Sequence, residues 1–196
     1  MKTLRCFEGR HSRNGSCAGF TLIELMITVV LLGILIAIAA PSMRNFLLQQ
    51  RVKAAASEFQ RGLTLARAEA IRRNQRVTIA AADTGCSDFS KGWRVFYDSL
   101  SGSSANQCFD ASETQVMRSD ELDQSLTVTW TNADANKAYL MFTPTGGVTM
   151  ANGAIGASSW SVSIPAIPQI QARTICINFY GRTRIVSGAS TCGTSG

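Results

Sequence analysis

Gly19-Phe20-Thr21-Leu22-Ile23-Glu24-Leu25 opens a run that stays apolar to Ala40 and holds one charge, Glu24. The stretch from Phe20 to Ala40 makes roughly 30 Å of helix at about 1.5 Å per residue, the thickness of a bilayer's hydrocarbon core. Upstream, Lys2, Arg5, Arg10 and Arg13 stand against Glu8 alone. The positive-inside rule keeps such a leader cytoplasmic and sends the rest of the chain across the membrane. Three readings compete. A secretory signal would be cut at the small-x-small site Ala37-Ile38-Ala39. A plain single-span anchor would stay uncut. Neither uses the acid placed four residues inside the run. A charge in hydrocarbon costs at least a few kcal/mol, so Glu24 needs a cation. A cut between Gly19 and Phe20 would supply one, an α-amino group at the head of the same helix. Glu24 could then neutralise the amine of a staggered neighbour, which favours assembly over a lone helix in lipid.

The same residues resemble the class III signal of type IV pilins and pseudopilins. The glycine, the phenylalanine, the acid and the apolar run are all in place, behind a leader longer than in many major pilins. The resemblance implies a prepilin peptidase that cuts after Gly19 and methylates Phe20, and an assembly role for Glu24. It also implies other pilins as partners, and a single-pass inner-membrane protein whose periplasmic head enters a filament at the cell surface.

Pro41 follows at once, and proline inside a helix removes a bond and kinks or loosens the turn before it. The helical period nevertheless resumes, with Val52, Ala56, Phe59, Leu63, Ala66 and Ala70 at spacings of three and four. One long helix is expected, bent or locally melted near Pro41 and running to about Arg73. Its apolar stripe should lie on a sheet, with Arg51, Lys53, Arg61, Arg67, Arg72 and Arg73 facing outward.

Beyond Arg76 the period changes to two. Strands are expected at Val77–Ala82, Gly92–Tyr97, Gln115–Arg118, Leu126–Trp130, Ala138–Thr143, Ser159–Ile164, Thr174–Phe179 and Thr183–Val186, separated by loops such as Ser101–Gln107. One helix followed by many short strands argues an α+β fold, the helix packed on antiparallel sheet. The domains then read as leader 1–19, transmembrane half-helix 20–40, amphipathic half-helix 41–75 and β-rich head 76–196. Ala66-Arg67-Ala68-Glu69-Ala70-Ile71-Arg72-Arg73-Asn74, Val77-Thr78, Gly92-Trp93, Phe96 and Phe142-Thr143-Pro144-Thr145-Gly146 resemble the FimT/FimU minor pilins and the GspH minor pseudopilins. Trp93 reads as a core aromatic of the first hairpin.

Cys6 and Cys17 lie in the leader, leaving Cys86, Cys108, Cys176 and Cys192 in the head. An even set in an exported domain implies disulfides. Cys86–Cys108 and Cys176–Cys192 are the expected pairs, since they close local loops. The set lacks C-x-x-C spacing, and the one histidine, His11, is in the leader, so no zinc site is expected. With that histidine gone the mature chain lacks the commonest general base. The sequence carries neither a Walker loop nor a dinucleotide fingerprint. Asp120, Glu121 and Asp123 read as a solvated loop rather than a calcium site. The composition points away from an enzyme and from any cofactor or metal.

The formal charge is +6, unevenly spread, and no acid follows Asp134. Lys137, Arg173, Arg182 and Arg184 therefore set a positive field near the C-terminus. In Tyr180-Gly181-Arg182-Thr183-Arg184, Gly181 permits a turn or bulge. Arg182 and Arg184 then share one face of an extended segment, about 7 Å apart. Two forked guanidiniums suit phosphate oxygens, in contacts that are sequence-independent and salt-sensitive. The segment also resembles the GRxR motif of FimT minor pilins, which implies DNA capture in natural transformation through Gly181, Arg182 and Arg184. Arg173 and Lys137 join on charge alone. The expected function is a minor type IV pilin that helps initiate or cap the pilus and binds DNA without sequence preference. The alternative is a GspH-like pseudopilin of type II secretion with no nucleic-acid ligand.

Overall fold

The computed structural model describes residues 20–98, 108–131, 139–149, 158–188 and 192. The leader with Gly19, the loop Ser101–Gln107 and Lys137 lie outside the described residues. The chain divides into two compact units, Met1–Met43 and Arg44–Gly196. Helix α1, Leu22–Arg73, supplies the described part of the first and the opening element of the second.

In the first unit, Thr21 caps the helix, its Oγ1 accepting the Glu24 backbone N–H at 3.3 Å. Thr21-Leu22-Ile23-Glu24 therefore has the spacing of a capping box, an ordinary use for the acid that sequence reading passed over. The helix is apolar and long enough to cross a membrane. The expected melting near Pro41 is absent, and α1 runs unbroken from Leu22 to Arg73. Proline removes a single donor, and the bonds on either side carry the helix past it.

In the second unit the apolar stripe of α1 is wholly buried at Val52, Phe59, Leu63, Ala66 and Ala70. The helix ends because Asn74 takes a left-handed φ of +52°. The Asn74 N–H then donates to the Ile71 carbonyl at 3.4 Å and the Gln75 N–H to the Ala70 carbonyl at 3.2 Å. That pair of bonds satisfies the last carbonyls in the Schellman manner, with Asn in place of Gly.

The strands that follow are β1 Val77–Ala81, β2 Trp93–Tyr97, β3 Thr114–Ser119, β4 Thr127–Trp130, β5 Tyr139–Phe142, β6 Val148–Thr149, β7 Ser158–Ser163, β8 Arg173–Ile177 and β9 Thr183–Ser187. They form two antiparallel sheets, β3-β2-β1-β5-β6 and β4-β7-β8-β9. All eight expected strands are present, shifted by no more than two residues at an end. β6 and a 3-10 turn at Phe89–Lys91 were not foreseen. A two-residue strand carries too little alternation to read.

Phe59 of α1 is the hub of the core. Its ring lies 4.9 Å from Trp93 of β2, 5.1 Å from Trp160 of β7 and 5.3 Å from Phe89, centroid to centroid. The helix thus touches both sheets, and the edge-to-face pairs add about 0.5–1.5 kcal/mol each beyond burial. The sheets also meet at one backbone bond, from the Val148 N–H to the Phe179 carbonyl at 3.0 Å.

Cys176 and Cys192 form a disulfide. Cys108 is a free thiol, so the Cys86–Cys108 bridge expected from loop closure is absent. Both residues belong to one small cluster with Ala80, Phe96 and Tyr139. The turn that holds Cys86 is fixed by the Asp83 carboxylate, which accepts the Ser87 and Asp88 N–H groups at 2.9 and 3.0 Å. Disulfide geometry tolerates little mismatch, and this turn has little freedom to supply it.

Candidate functional site

Between β8 and β9 the chain reverses through Asn178-Phe179-Tyr180-Gly181. The Gly181 N–H donates to the Asn178 carbonyl at 2.8 Å, and the Asn178 N–H to the Arg182 carbonyl at 3.1 Å. Asn178 also accepts the Arg182 N–H on its side-chain Oδ1 at 3.0 Å. Gly181 has φ +74°, the left-handed value that closes a three-residue hairpin loop.

A second turn, Thr143-Pro144-Thr145-Gly146, repeats the pattern. Gly146 has φ +79°, its N–H meets the Thr143 carbonyl at 2.8 Å, and the Thr143 N–H meets the Gly147 carbonyl at 2.9 Å. The two turns lie one on the other. A β-carbon on Gly181 would fall 2.3 Å from the Gly146 carbonyl oxygen. Arg67 of α1 props both, its Nε donating to that oxygen at 3.1 Å and lying 3.0 Å from the same β-carbon position. Arg67 is therefore half-buried, not the outward-facing residue expected from helix periodicity. Sequence could not show this, because its partner is the backbone of a residue 79 positions away.

The paired strands sort the arginines. Thr183 and Ile185 of β9 turn inward, Thr183 accepting from Gln60 of α1 at 3.4 Å. Arg182 and Arg184 are exposed on the alternate positions, as a shared face requires. Among the described residues no salt bridge involves Arg182. Arg173 does not join them. It pairs across the ladder with Ser187, three positions from the Cys176–Arg184 pair, and donates to the Ser187 hydroxyl. Its alternation places it with the buried Ile175 and Ile177, on the face opposite Arg184.

A cleft of about 550 Å³ runs beside the turn, lined by Arg67, Thr145, Asn178, Phe179, Tyr180 and Arg182 among others. Phe179 and Tyr180 are 46% and 62% exposed, and the strand expected over Thr174–Phe179 stops short of both, at Ile177.

Several other charged groups are matched within the head. Glu69 accepts from Arg72 at 2.6 and 3.1 Å and from the Tyr97 hydroxyl at 2.5 Å. The Arg72 hydrogen bonds, then that of Tyr97, lower its pKa to about 2. Arg73 lies over the Tyr97 ring, 4.7 Å from its centroid. The acidic trio is split among separate partners: Asp123 with Arg51 at 2.8 Å, Asp120 with Arg118 at 3.2 Å, and Glu121 with Lys91. No metal-holding group of acids, cysteines or histidines occurs among the described residues.

A profile described as type II transport protein GspH matches residues 55–181, which covers most of the buried stripe of α1 and both turns to Gly181. The chain belongs to the GspH family. A second profile, the prokaryotic N-terminal methylation motif, matches residues 14–40 and brackets Gly19, Phe20 and Glu24. This GspH-family chain is thus a type IV pilin-like protein. Its fold is similar to the crystal structure of the type IV minor pilin FimU of Pseudomonas aeruginosa, at 20% identity and TM-score 0.55, over 76% of this chain and 98% of that one. It is also similar to the minor pseudopilin EpsH from the Type 2 Secretion System of Vibrio cholerae, at 14% identity and TM-score 0.50, over 71% and 99% of the two chains. None of the curated proteins compared matches it.

Proposed function

We propose that this chain is a minor pilin that helps initiate or cap a type IV pilus and binds DNA through Gly181, Arg182 and Arg184, for uptake in natural transformation. The observation that carries the reading is the Arg182–Arg184 face, exposed at the tip of a hairpin held by three backbone hydrogen bonds and one to the Asn178 side chain, with no salt bridge at Arg182 among the described residues. A guanidinium without a carboxylate partner, as at Arg182, keeps its donors for phosphate. The methylation motif supports cleavage after Gly19, methylation of Phe20 by a prepilin peptidase, and assembly with other pilins through Glu24. A mature protein of this kind would sit in the inner membrane with a periplasmic head. It would work by binding and assembly, not by catalysis.

The second reading is a pseudopilin of type II secretion without a nucleic-acid ligand, and the match to the type II transport protein GspH supports its place in that system. A gel shift with the full chain in non-ionic detergent separates the two. The first reading expects retention of a DNA fragment at low salt, lost on Arg182→Ala plus Arg184→Ala. Removing two phosphate contacts should also flatten the slope of log affinity against log salt by roughly 1.4–1.8. Absence of any shift at low salt would leave the pseudopilin reading standing.

A further inference from the structure

The turn that carries the arginines also presents two neighbouring rings to solvent. Phe59, Trp93, Phe142 and Trp160 are wholly buried, whereas Phe179 and Tyr180 are not, at 46% and 62% exposed. Burying a phenylalanine ring ordinarily stabilises a fold, so one that is left half in water forgoes part of that gain. The two rings lie together, with centroids 4.2 Å apart and planes inclined by 45°. The backbone that carries them is tied on several sides. The Phe179 carbonyl accepts from Val148, and the turn is closed on both sides by the Asn178, Gly181 and Arg182 bonds. Arg67 and Arg182 line the cleft beside the rings, and among the described residues no carboxylate lines it.

A rigid exposed aromatic surface flanked by cations matches the chemistry of an unpaired nucleotide. Every base has a π-face that can stack on an aromatic ring, and each phosphate suits a forked guanidinium. In duplex DNA the base faces are already stacked on one another and offer nothing to Phe179 or Tyr180. Resting on the DNA-binding reading above, we infer that the turn is a stacking platform for single-stranded DNA. Bases lie on Tyr180 and Phe179 while the backbone phosphates meet Arg182 and Arg67. The arginines supply affinity for any DNA, and the rings supply the preference for strands whose bases are free.

Fluorescence anisotropy of the full chain in non-ionic detergent tests this with two probes, a labelled single-stranded oligothymidine and a blunt duplex of equal length. The wild-type chain should bind the single strand more tightly. Phe179→Ala plus Tyr180→Ala should weaken the single strand by about fivefold to a hundredfold, the worth of one stacked base, and move the duplex by less than about twofold. Because both rings are exposed, the fold should survive, which unchanged tryptophan fluorescence would verify. Tyr180→Phe should retain the preference and Tyr180→Leu should lose it, which separates ring stacking from plain apolar contact. Equal weakening on both probes, or no weakening on either, overturns the platform while leaving DNA binding through the arginines intact. Failure of the wild-type chain to bind either probe overturns both.

Discussion

Gly181 is the residue on which the hairpin tip depends. Its φ of +74° is costly for any residue with a β-carbon, and the place of that carbon is taken by the Gly146 carbonyl oxygen, 2.3 Å away. Gly181→Ala should therefore destabilise the head by roughly 1–3 kcal/mol, read as a lower urea midpoint of tryptophan fluorescence. Trp93, Trp130 and Trp160 all belong to the core and report on it. Glu69 makes a different kind of test. Hydrogen bonds from Arg72 and Tyr97 hold its pKa near 2 in the folded chain, against about 4.5 when free. A carboxylate with a depressed folded pKa stabilises fully above its unfolded value and loses that contribution as pH falls through the folded one. Stability should accordingly decline between about pH 4.5 and pH 2. Glu69→Gln should flatten that decline, in urea midpoints measured across the range. Asp110 and Asp123, lowered by the backbone N–H groups of Ser112 and Ser125, will leave part of the slope in place.

The β8–β9 hairpin is closed at its tip by the turn and tied behind by Cys176–Cys192, sixteen residues apart. Cross-linking a loop of about that length contributes about 3 kcal/mol in the chain-entropy account. Cys176→Ser plus Cys192→Ser should lower the unfolding free energy by about that amount, and a reducing agent should do the same to the wild-type chain and nothing to the variant. At this scale much was legible in the sequence. The alternation in Val77–Ala81, Trp93–Tyr97 and Ser158–Ser163 marks their strands, and the spacing from Val52 to Ala70 marks the buried stripe of α1. What escaped has a common physical cause. Arg67 is claimed by a carbonyl in a distant turn, and Phe179 lies two residues past the end of β8, where alternation no longer governs its side chain. Such outcomes depend on which loops meet, and local periodicity does not encode that. The absent Cys86–Cys108 bridge belongs here too, since proximity in sequence says nothing about the rigidity of the Asp83 turn.

For the whole molecule the deciding chemistry lies at the N-terminus, where the methylation motif and an apolar helix coincide. Protein recovered from sheared filaments should begin at Phe20 by N-terminal sequencing and carry one extra methyl by mass. Glu24→Leu should leave that processing and the membrane fraction unchanged while the protein disappears from the sheared filament fraction. The prediction follows from the proposed pairing of that acid with the amine of an assembled neighbour. The placement of Arg67 has a mechanical consequence. A filament that is drawn back while its tip grips a polymer puts the gripping loop under tension. Here the strain would not fall on a lone flexible loop. It would be divided between the β-ladder behind Arg182, the sulfur clasp at Cys176 and the guanidinium strut that passes load from Gly146 to α1. Parallel attachments of this kind yield together, so the loop should hold its shape under a pull that would unravel a hairpin anchored at its ends alone.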